Sequence, residues 1–329
     1  MTKSTEGNYC GHGGSCVRES SGIGHGGMIE CMTEPGRRDQ TIVAPDGRRL
    51  GFAEWGDLDG FPVFSLHGTP GGRLARHPDE AAIAAEGARV ITYDRPGYGV
   101  SDRLRGRRIV DCVGDVEAIA DHLGIDRFSV DGGSGGGPHG LAVAARLGAR
   151  VVRARCEVGV APFGLDDLDF FDGMDPSNVA EFGWALEGEE VLVPELERKL
   201  RYVGERVAAD PAAILGGTGV PDDSDHAVIA RPDMAQVIRE SVEDLVRGGV
   251  WGWVDDDLAF VRPWGFDLSE IAVPVEVRYG SRDVLVPAAH GAWLGSNVPG
   301  AIVVMEEDQG HMGDLDDIGA KTRWLVTGV

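Results

Sequence analysis

Ser134 stands at the centre of Gly132-Gly133-Ser134-Gly135-Gly136, between a short apolar strand expected over Arg127 to Asp131 and a helix expected from about Gly136. A serine on so sharp a strand-to-helix turn needs small neighbours, because a Cβ close by would meet the adjoining backbone. Such a turn lifts the hydroxyl above the sheet edge and aims it along a helix N-terminus, whose free N–H groups favour the negative charge of an acyl-transfer intermediate. Ser134 is therefore the candidate nucleophile. A hydroxyl is a weak nucleophile at neutral pH, so it needs a base within hydrogen-bond reach and a carboxylate to orient that base. In a mostly parallel sheet these partners belong on loops at the carboxyl ends of later strands. Asp283 follows the strand expected over Val273 to Tyr279, and His311 follows the one expected over Ala301 to Met305. Taken alone, the pentapeptide also fits a plain flexible turn in a chain with 50 glycines.

The surrounding elements decide between these readings. Gln40 to Ala44 and Arg49 to Trp55 flank the turn tripeptide Pro45-Asp46-Gly47 and pair as a hairpin. Pro62 to Leu66, Ala88 to Tyr93 and Val151 to Val158 read as buried strands. Leu74 to Glu86 and Ile109 to Leu123 read as helices, the second from the helical spacing of Ile109, Val113, Val116, Ala120 and Leu123. Alternating strands and helices joined by short loops predict an α/β class with a mostly parallel central sheet covered on both faces. The alternation stops at Ala161-Pro162. Helical, acidic segments follow at Pro176 to Gly188, Glu190 to Ala209 and Met234 to Arg247, interrupted by turn clusters at 216–219 and 221–225. Strands resume at Val273, and a final helix runs to Val326. The expected organisation is a core formed by 39–161 and 263–329, a helical cap inserted at 162–262, and a disordered tail at 1–38.

Bulk properties narrow the partners. At 329 residues the chain can bury one large core and a smaller one. A formal net charge of −23 repels polyanions, which argues against nucleic acid and against an anionic membrane surface. No apolar run of about 18 residues is present and no signal-peptide core opens the chain, so a cytoplasmic location is expected. Five cysteines, an odd number, fit reduced thiols. Cys112 and Cys156 fall in a helix and a strand and read as small buried hydrophobes. Cys10, His12, Cys16, His25 and Cys31 in the tail do not have the paired spacing of a zinc site, so no metal is expected. A further reading of the tail is that translation begins at Met28 or Met32, which would leave it outside the native protein.

From about Gln40 to the C-terminus the chain resembles the α/β-hydrolase fold family. The matching pieces are the His67-Gly68 strand end, Asp94-Arg95-Pro96-Gly97-Tyr98-Gly99-x-Ser101-Asp102, the elbow at Ser134, Gly280-x-x-Asp283-x-x-Val286-Pro287, and Gly310-His311. The resemblance implies that fold with a Ser134, Asp283, His311 triad in the family's chain order. It also implies an oxyanion hole made by the backbone N–H groups of Thr69 and Gly135. A serine at the elbow excludes the Asp-dependent dehalogenase and epoxide hydrolase relatives. The expected function is cofactor-free hydrolysis of a small carboxylic ester through an acyl-enzyme.

Alternatives stay open. The Asp94 to Asp102 loop also resembles proline iminopeptidases, and Asp166, Asp167, Asp169, Asp172 and Glu181 offer acids for a substrate ammonium group, so the small-molecule substrate is an ester or an amide. A non-catalytic ligand-binding protein of the same fold is the third reading. Among rival residues, His139 is expected to pack or lie at the surface, His67 to shape the oxyanion loop, and Arg95 and Asp102 to staple the loop after their strand. Asp131 reads as a peripheral hydrogen-bonded carboxylate, Asp255 to Asp257 as a solvated run, and Asp308 as too close to His311 in sequence to serve it. Trp251, Trp253 and Trp264 are expected to pack under the cap or to line an acyl pocket.

Overall fold

The computed structural model describes residues 31–34, 37–215 and 223–329. Nine strands form one sheet: β1 Cys31–Glu34, β2 Arg37–Val43, β3 Arg49–Gly56, β4 Phe61–Leu66, β5 Ala88–Tyr93, β6 Phe128–Gly133, β7 Val151–Glu157, β8 Val275–Gly280 and β9 Ile302–Glu306. Their order is β1-β2-β3-β5-β4-β6-β7-β8-β9. The first three are joined by antiparallel ladders, β3 runs antiparallel to β5, and every pairing from β5 through β4 to β9 is parallel. After β4 the chain crosses to β5 on one side and returns to β6 on the other. The carboxyl ends of β4 and β6 therefore flank the crevice where open α/β sheets bind ligands.

Helices cover both faces. α2 Cys112–His122, α3 Gly136–Arg146 and α9 Ala288–Asn297 pack one side, where Val116, Ile119, Leu141 and Leu294 meet Phe64, Leu66, Val130 and Val277. α1 Glu80–Ala85 and α10 Ile318–Thr327 pack the other, with Ile83 and Leu325 against Val63 and Ala88. The inner parallel strands are thus covered on both faces, which accounts for the nearly continuous apolar runs that marked them in the sequence, while the edge strand β9 leaves Ile302, Val303 and Met305 exposed.

Between β7 and β8 the described chain forms helices but no strand: α4 Pro176–Glu187, α5 Glu189–Arg206, α6 Asp223–Ile229, α7 Pro232–Gly248 and α8 Trp251–Phe260, with 3₁₀ turns at Pro211–Leu215 and Leu268–Glu270. α4 starts where the Asp175 side chain accepts the Ser177 N–H and Pro176 takes the first turn; Pro232 takes the first turn of α7, whose N-cap Arg231 makes no side-chain capping bond. α8 carries no amphipathic period, because buried residues surround it on all sides. α6 begins inside the cluster expected to be a turn.

Two boundaries differ from expectation. The tail was expected to stay unstructured through residue 38, yet β2 begins at Arg37 and β1 pairs with it. The polar composition that reads as tail is consumed by partners, with Asp39 bonded to Arg37 at 2.8 Å and to Arg73 at 3.1 Å. The rest of that tail, with Cys10, His12, Cys16 and His25, lies outside the described residues, as does the cluster at 216–219. The helix expected over Leu74 to Glu86 is shorter, since Asp79 caps it and only Glu80–Ala85 is helical.

Candidate active site

The local sequence at the elbow does what the glycines allow. Ser134 has φ 54°, a left-handed conformation that non-glycine residues seldom adopt. Its N–H donates to the Glu157 carbonyl at 2.8 Å and its own carbonyl accepts the Gly137 N–H at 2.9 Å, so the strained residue is held from both sides. A Cβ at Gly132 would strike the Gly136 carbonyl, and one at Gly136 would strike the Leu66 carbonyl. These two glycines let the turn close. Gly133 faces open space, so not every neighbour is sterically required.

The loops after β8 and β9 bring the other two candidates together. His311 Nδ1 lies 2.8 Å from Asp283 Oδ2 and donates to it. The second oxygen, Asp283 Oδ1, accepts the Leu285 and Val286 N–H groups, each at 2.9 Å, which explains the spacing of Asp283-Val284-Leu285-Val286. The carboxylate is thereby fixed in orientation. Burial pushes the His311 imidazole towards its neutral form, but the Asp283 carboxylate, with Asp225 and Glu157 adding to it, outweighs that and leaves the pKa above the ordinary histidine value.

Ser134, His311 and Thr69 line one cavity of about 840 Å³, together with Glu181, Trp253 and Met312 from neighbouring elements. A smaller niche beside it is bounded by Thr69, Ser134, Gly135, Glu181 and Asp257. Asp283 stands behind His311, so the five residues predicted for catalysis and oxyanion binding gather around the carboxyl ends of β4, β6, β8 and β9. A Cβ on Gly68 would lie 3.8 Å from the Ser134 hydroxyl oxygen, so the His67–Thr69 loop approaches the serine closely.

That loop is held by a buried ionic cluster that sequence reading missed. Asp256, on α8, is fully buried and receives Arg95 Nη2 at 2.6 Å, Arg107 Nη1 at 2.6 Å, the Tyr98 hydroxyl at 2.9 Å and the Thr69 hydroxyl at 2.8 Å. Arg95 also donates to the His67 and Gly68 carbonyls. Burial alone would raise the Asp256 pKa, but the Arg107 and Arg95 guanidiniums hold it well below the usual carboxylate range. Asp255 to Asp257 are therefore not a solvated run. All three are buried: cations converge on the first two, Arg103 on Asp255 and Arg95 and Arg107 on Asp256, whereas burial and the neighbouring Glu181 push the Asp257 carboxyl well above the usual carboxylate range. Arg95 staples the His67–Thr69 loop rather than its own, whereas Asp102 does hold the chain after β5 by accepting the Arg49 N–H. The signal available in sequence was the Asp94 to Asp102 motif, which contributes Arg95 and Tyr98 but not their partner.

The rival residues fall into place by burial. His139 is fully buried, bonded through Nδ1 to the Gly135 carbonyl, and its pKa is lowered to about 3 by burial and then by Arg95. His67, likewise buried, shares Nδ1 with the Gly68 carbonyl and accepts the Arg95 N–H at Nε2. Asp131 pairs with Arg155 through both oxygens, at 3.0 and 2.9 Å. Asp308 is exposed. Of the three tryptophans only Trp253 lines the cavity. Trp251 lies under the Arg103 guanidinium and Trp264 stacks on Phe266. Cys112 and Cys156 are buried free thiols with raised pKa, for which burial is the main cause. Among the described residues no group of histidine, cysteine and carboxylate side chains could hold a metal ion, and no helix is long and apolar enough to cross a membrane.

The chain is similar to several known proteins. A family model described as alpha/beta hydrolase fold matches residues 62–317. Proline iminopeptidase from Xanthomonas citri is 37% identical over 112 residues, 32% of this chain and 34% of that protein. The dihydrolipoyllysine-residue acetyltransferase component of the acetoin cleaving system of Pseudomonas putida is 28% identical over 82% of this chain and 64% of its own length. The chain thus spans about a third and just under two thirds of these curated relatives. An esterase from Exiguobacterium antarcticum superposes with a TM-score of 0.63 at 20% identity, covering 88% of this chain and 98% of that one.

Proposed function

We propose, from the premise that this chain belongs to the alpha/beta hydrolase fold family, that it is a serine hydrolase cleaving a small carboxylic ester through an acyl-enzyme. One observation carries the reading. A strained serine at φ 54° lines the same cavity as a histidine whose Nδ1 is bonded to a buried, doubly amide-fixed carboxylate. With Nδ1 committed to Asp283, Nε2 is the nitrogen that serves Ser134. Ser134 attacks the carbonyl carbon as His311 takes its proton. Asp283 stabilises the imidazolium, and His311 then returns the proton to the leaving alcohol. The oxyanion meets the Thr69 and Gly135 N–H groups, with the Asp256 cluster keeping Thr69 in position. Water reverses the sequence and frees the acid. In this reading residues 162–262 form the cap that shapes the cavity.

The acids that could hold a substrate ammonium group give the ester reading its preference. Of Asp166, Asp167, Asp169, Asp172 and Glu181, only Glu181 lines the cavity. Its carboxylate is already bonded to Lys199 Nζ at 2.6 Å and Trp253 Nε1 at 2.7 Å. An aminopeptidase of the proline iminopeptidase type is the second reading, favoured by Glu181 and Asp257 standing in the niche beside Ser134. Rates on aryl esters of graded acyl length and on prolyl anilide, for the protein and its Ser134→Ala variant, test both. Faster anilide turnover rejects the ester reading. Absence of fluorophosphonate labelling at Ser134 in folded protein supports the third reading, ligand binding without catalysis.

A further inference from the structure

The backbone that carries His311 is gripped from outside the sheet. On α6, the Asp225 carboxylate accepts the Met312 N–H through Oδ1 at 2.7 Å, and the Ser224 hydroxyl oxygen accepts the Gly310 N–H at 3.0 Å. The residues on both sides of His311 are thus tied to one short helix of the segment between β7 and β8. The approach is tight, since a Cβ on Gly310 would lie 2.5 Å from Asp225 Oδ2, with the rest of that carboxylate its next nearest neighbours. Asp225 is 1% exposed, and Oδ2 has no hydrogen-bond partner among the described residues. Burying an unpartnered charged oxygen is costly, and an amide would meet the Met312 N–H equally well. What the carboxylate adds is charge.

We propose that Asp225 is a positioning residue for His311: carried on α6, it holds the 310–312 backbone over the cavity and sets a second negative charge beside the imidazolium that forms when Ser134 gives up its proton. The acidic groups acting on His311 are Asp283, Asp225 and Glu157. They come from three elements: the loop after β8, α6 and the end of β7. Glu157 is paired with Lys321 Nζ at 2.6 Å and Asp283 Oδ1 is occupied by two amides, so of the three acids Asp225 is the one with an oxygen left without a partner among the described residues. Docking of α6 and competence of His311 are then one event, because the helix that closes the segment over the site also seats the base.

The catalytic part of this proposal rests on the serine-hydrolase reading; the link between Asp225 and His311 does not. The test therefore uses a readout that needs no turnover, NMR titration of His311 in ¹³C-histidine-labelled protein, beside kcat and KM on an aryl ester. Asp225→Asn keeps an acceptor for Met312 and removes the charge. Gly310→Ala displaces the carboxylate by steric contact and leaves its charge, which covers the case in which Asp225→Asn does not fold. Each is expected to lower the His311 pKa by roughly half a unit or more and to lower kcat about fivefold or more with little change in KM. Ser224→Ala, which loosens the loop without touching charge, leaves the titration where it was. An unmoved titration in whichever of the first two variants folds overturns the proposal. A moved titration in a protein whose ester turnover survives Ser134→Ala keeps the Asp225 link and rejects the serine mechanism instead.

Discussion

The left-handed φ of Ser134 is of the kind that costs on the order of 1–3 kcal/mol and persists only where surrounding structure imposes it. Here the Glu157 carbonyl and the glycine contacts impose it. Replacing Ser134 by Ala removes the attacking oxygen and leaves the turn intact, so kcat on an aryl ester falls by about 10⁴-fold or more while the melting temperature stays near that of the parent. The pH profile is equally specific to single residues. His311 must be neutral to accept a proton, and its folded pKa is raised. The acid limb of kcat/KM therefore has its midpoint above the ordinary histidine value of about 6.5. Asp283→Asn moves that limb to lower pH as it lowers the rate. An acid limb well below that value in the parent protein counts against His311 as the base.

At the scale of elements, the joint between α8 and the His67–Thr69 loop is the feature on which the oxyanion geometry depends. Asp256 neutralises two buried guanidiniums there, so removing it strands both charges. Asp256→Ala is expected to destabilise the fold by about 3–5 kcal/mol, read as a lower urea midpoint. Loss of no more than a few tenths of that would mean the cluster is hydrated and weak. A second element-scale prediction concerns α4 and α5, whose Glu181 and Lys199 satisfy each other at 2.6 Å. Lys199→Met uncovers the Glu181 carboxylate at the cavity wall. The ratio of kcat/KM for an aminoacyl aryl ester over its uncharged counterpart then rises at least about tenfold, the effect of one unshielded charge pair worth roughly 1.4 kcal/mol. Glu181→Gln in the same background returns the ratio to its starting value.

Over the whole molecule, several buried groups set the response to acid, and their signs can be worked out. Burial and Arg95 lower the His67 pKa, and His139 is lowered to about 3, so below about pH 6.5 the unfolded chain binds protons that these two refuse. Glu157 is depressed to about 2 because Arg155 and Lys321 overcome its burial, and Asp256 is depressed as well. Their contribution is present above the unfolded carboxylate values near 4 and is lost as pH falls towards the folded ones. His311, with its raised pKa, opposes the trend, as do the carboxyls of Asp94, Asp115 and Asp257, which burial raises, but only above about pH 4; His77 and His290, lowered by burial, add to it. Urea midpoints measured from pH 8 downward are therefore expected to decline from about pH 6.5 and to fall faster below about pH 4.5. A plateau continuing to pH 4 would contradict this assignment of buried neutral histidines.

The sequence by itself determined the parts that local chemistry dictates. Apolar runs bounded by turn residues located the strands, and the glycines around Ser134 placed the elbow and the start of α3. These signals survive in one dimension because each depends on residues a few positions apart. Tertiary structure alone decided the burial of Asp255 to Asp257, the shift of Arg95 from its own loop to the His67–Thr69 loop, the pairing of Lys199 with Glu181 and the grip of Asp225 on the His311 backbone. In each case a charged side chain is held by a partner 18 to 161 residues away along the chain. Whether a charged side chain faces water or a countercharge depends on packing between distant elements, which no local pattern encodes.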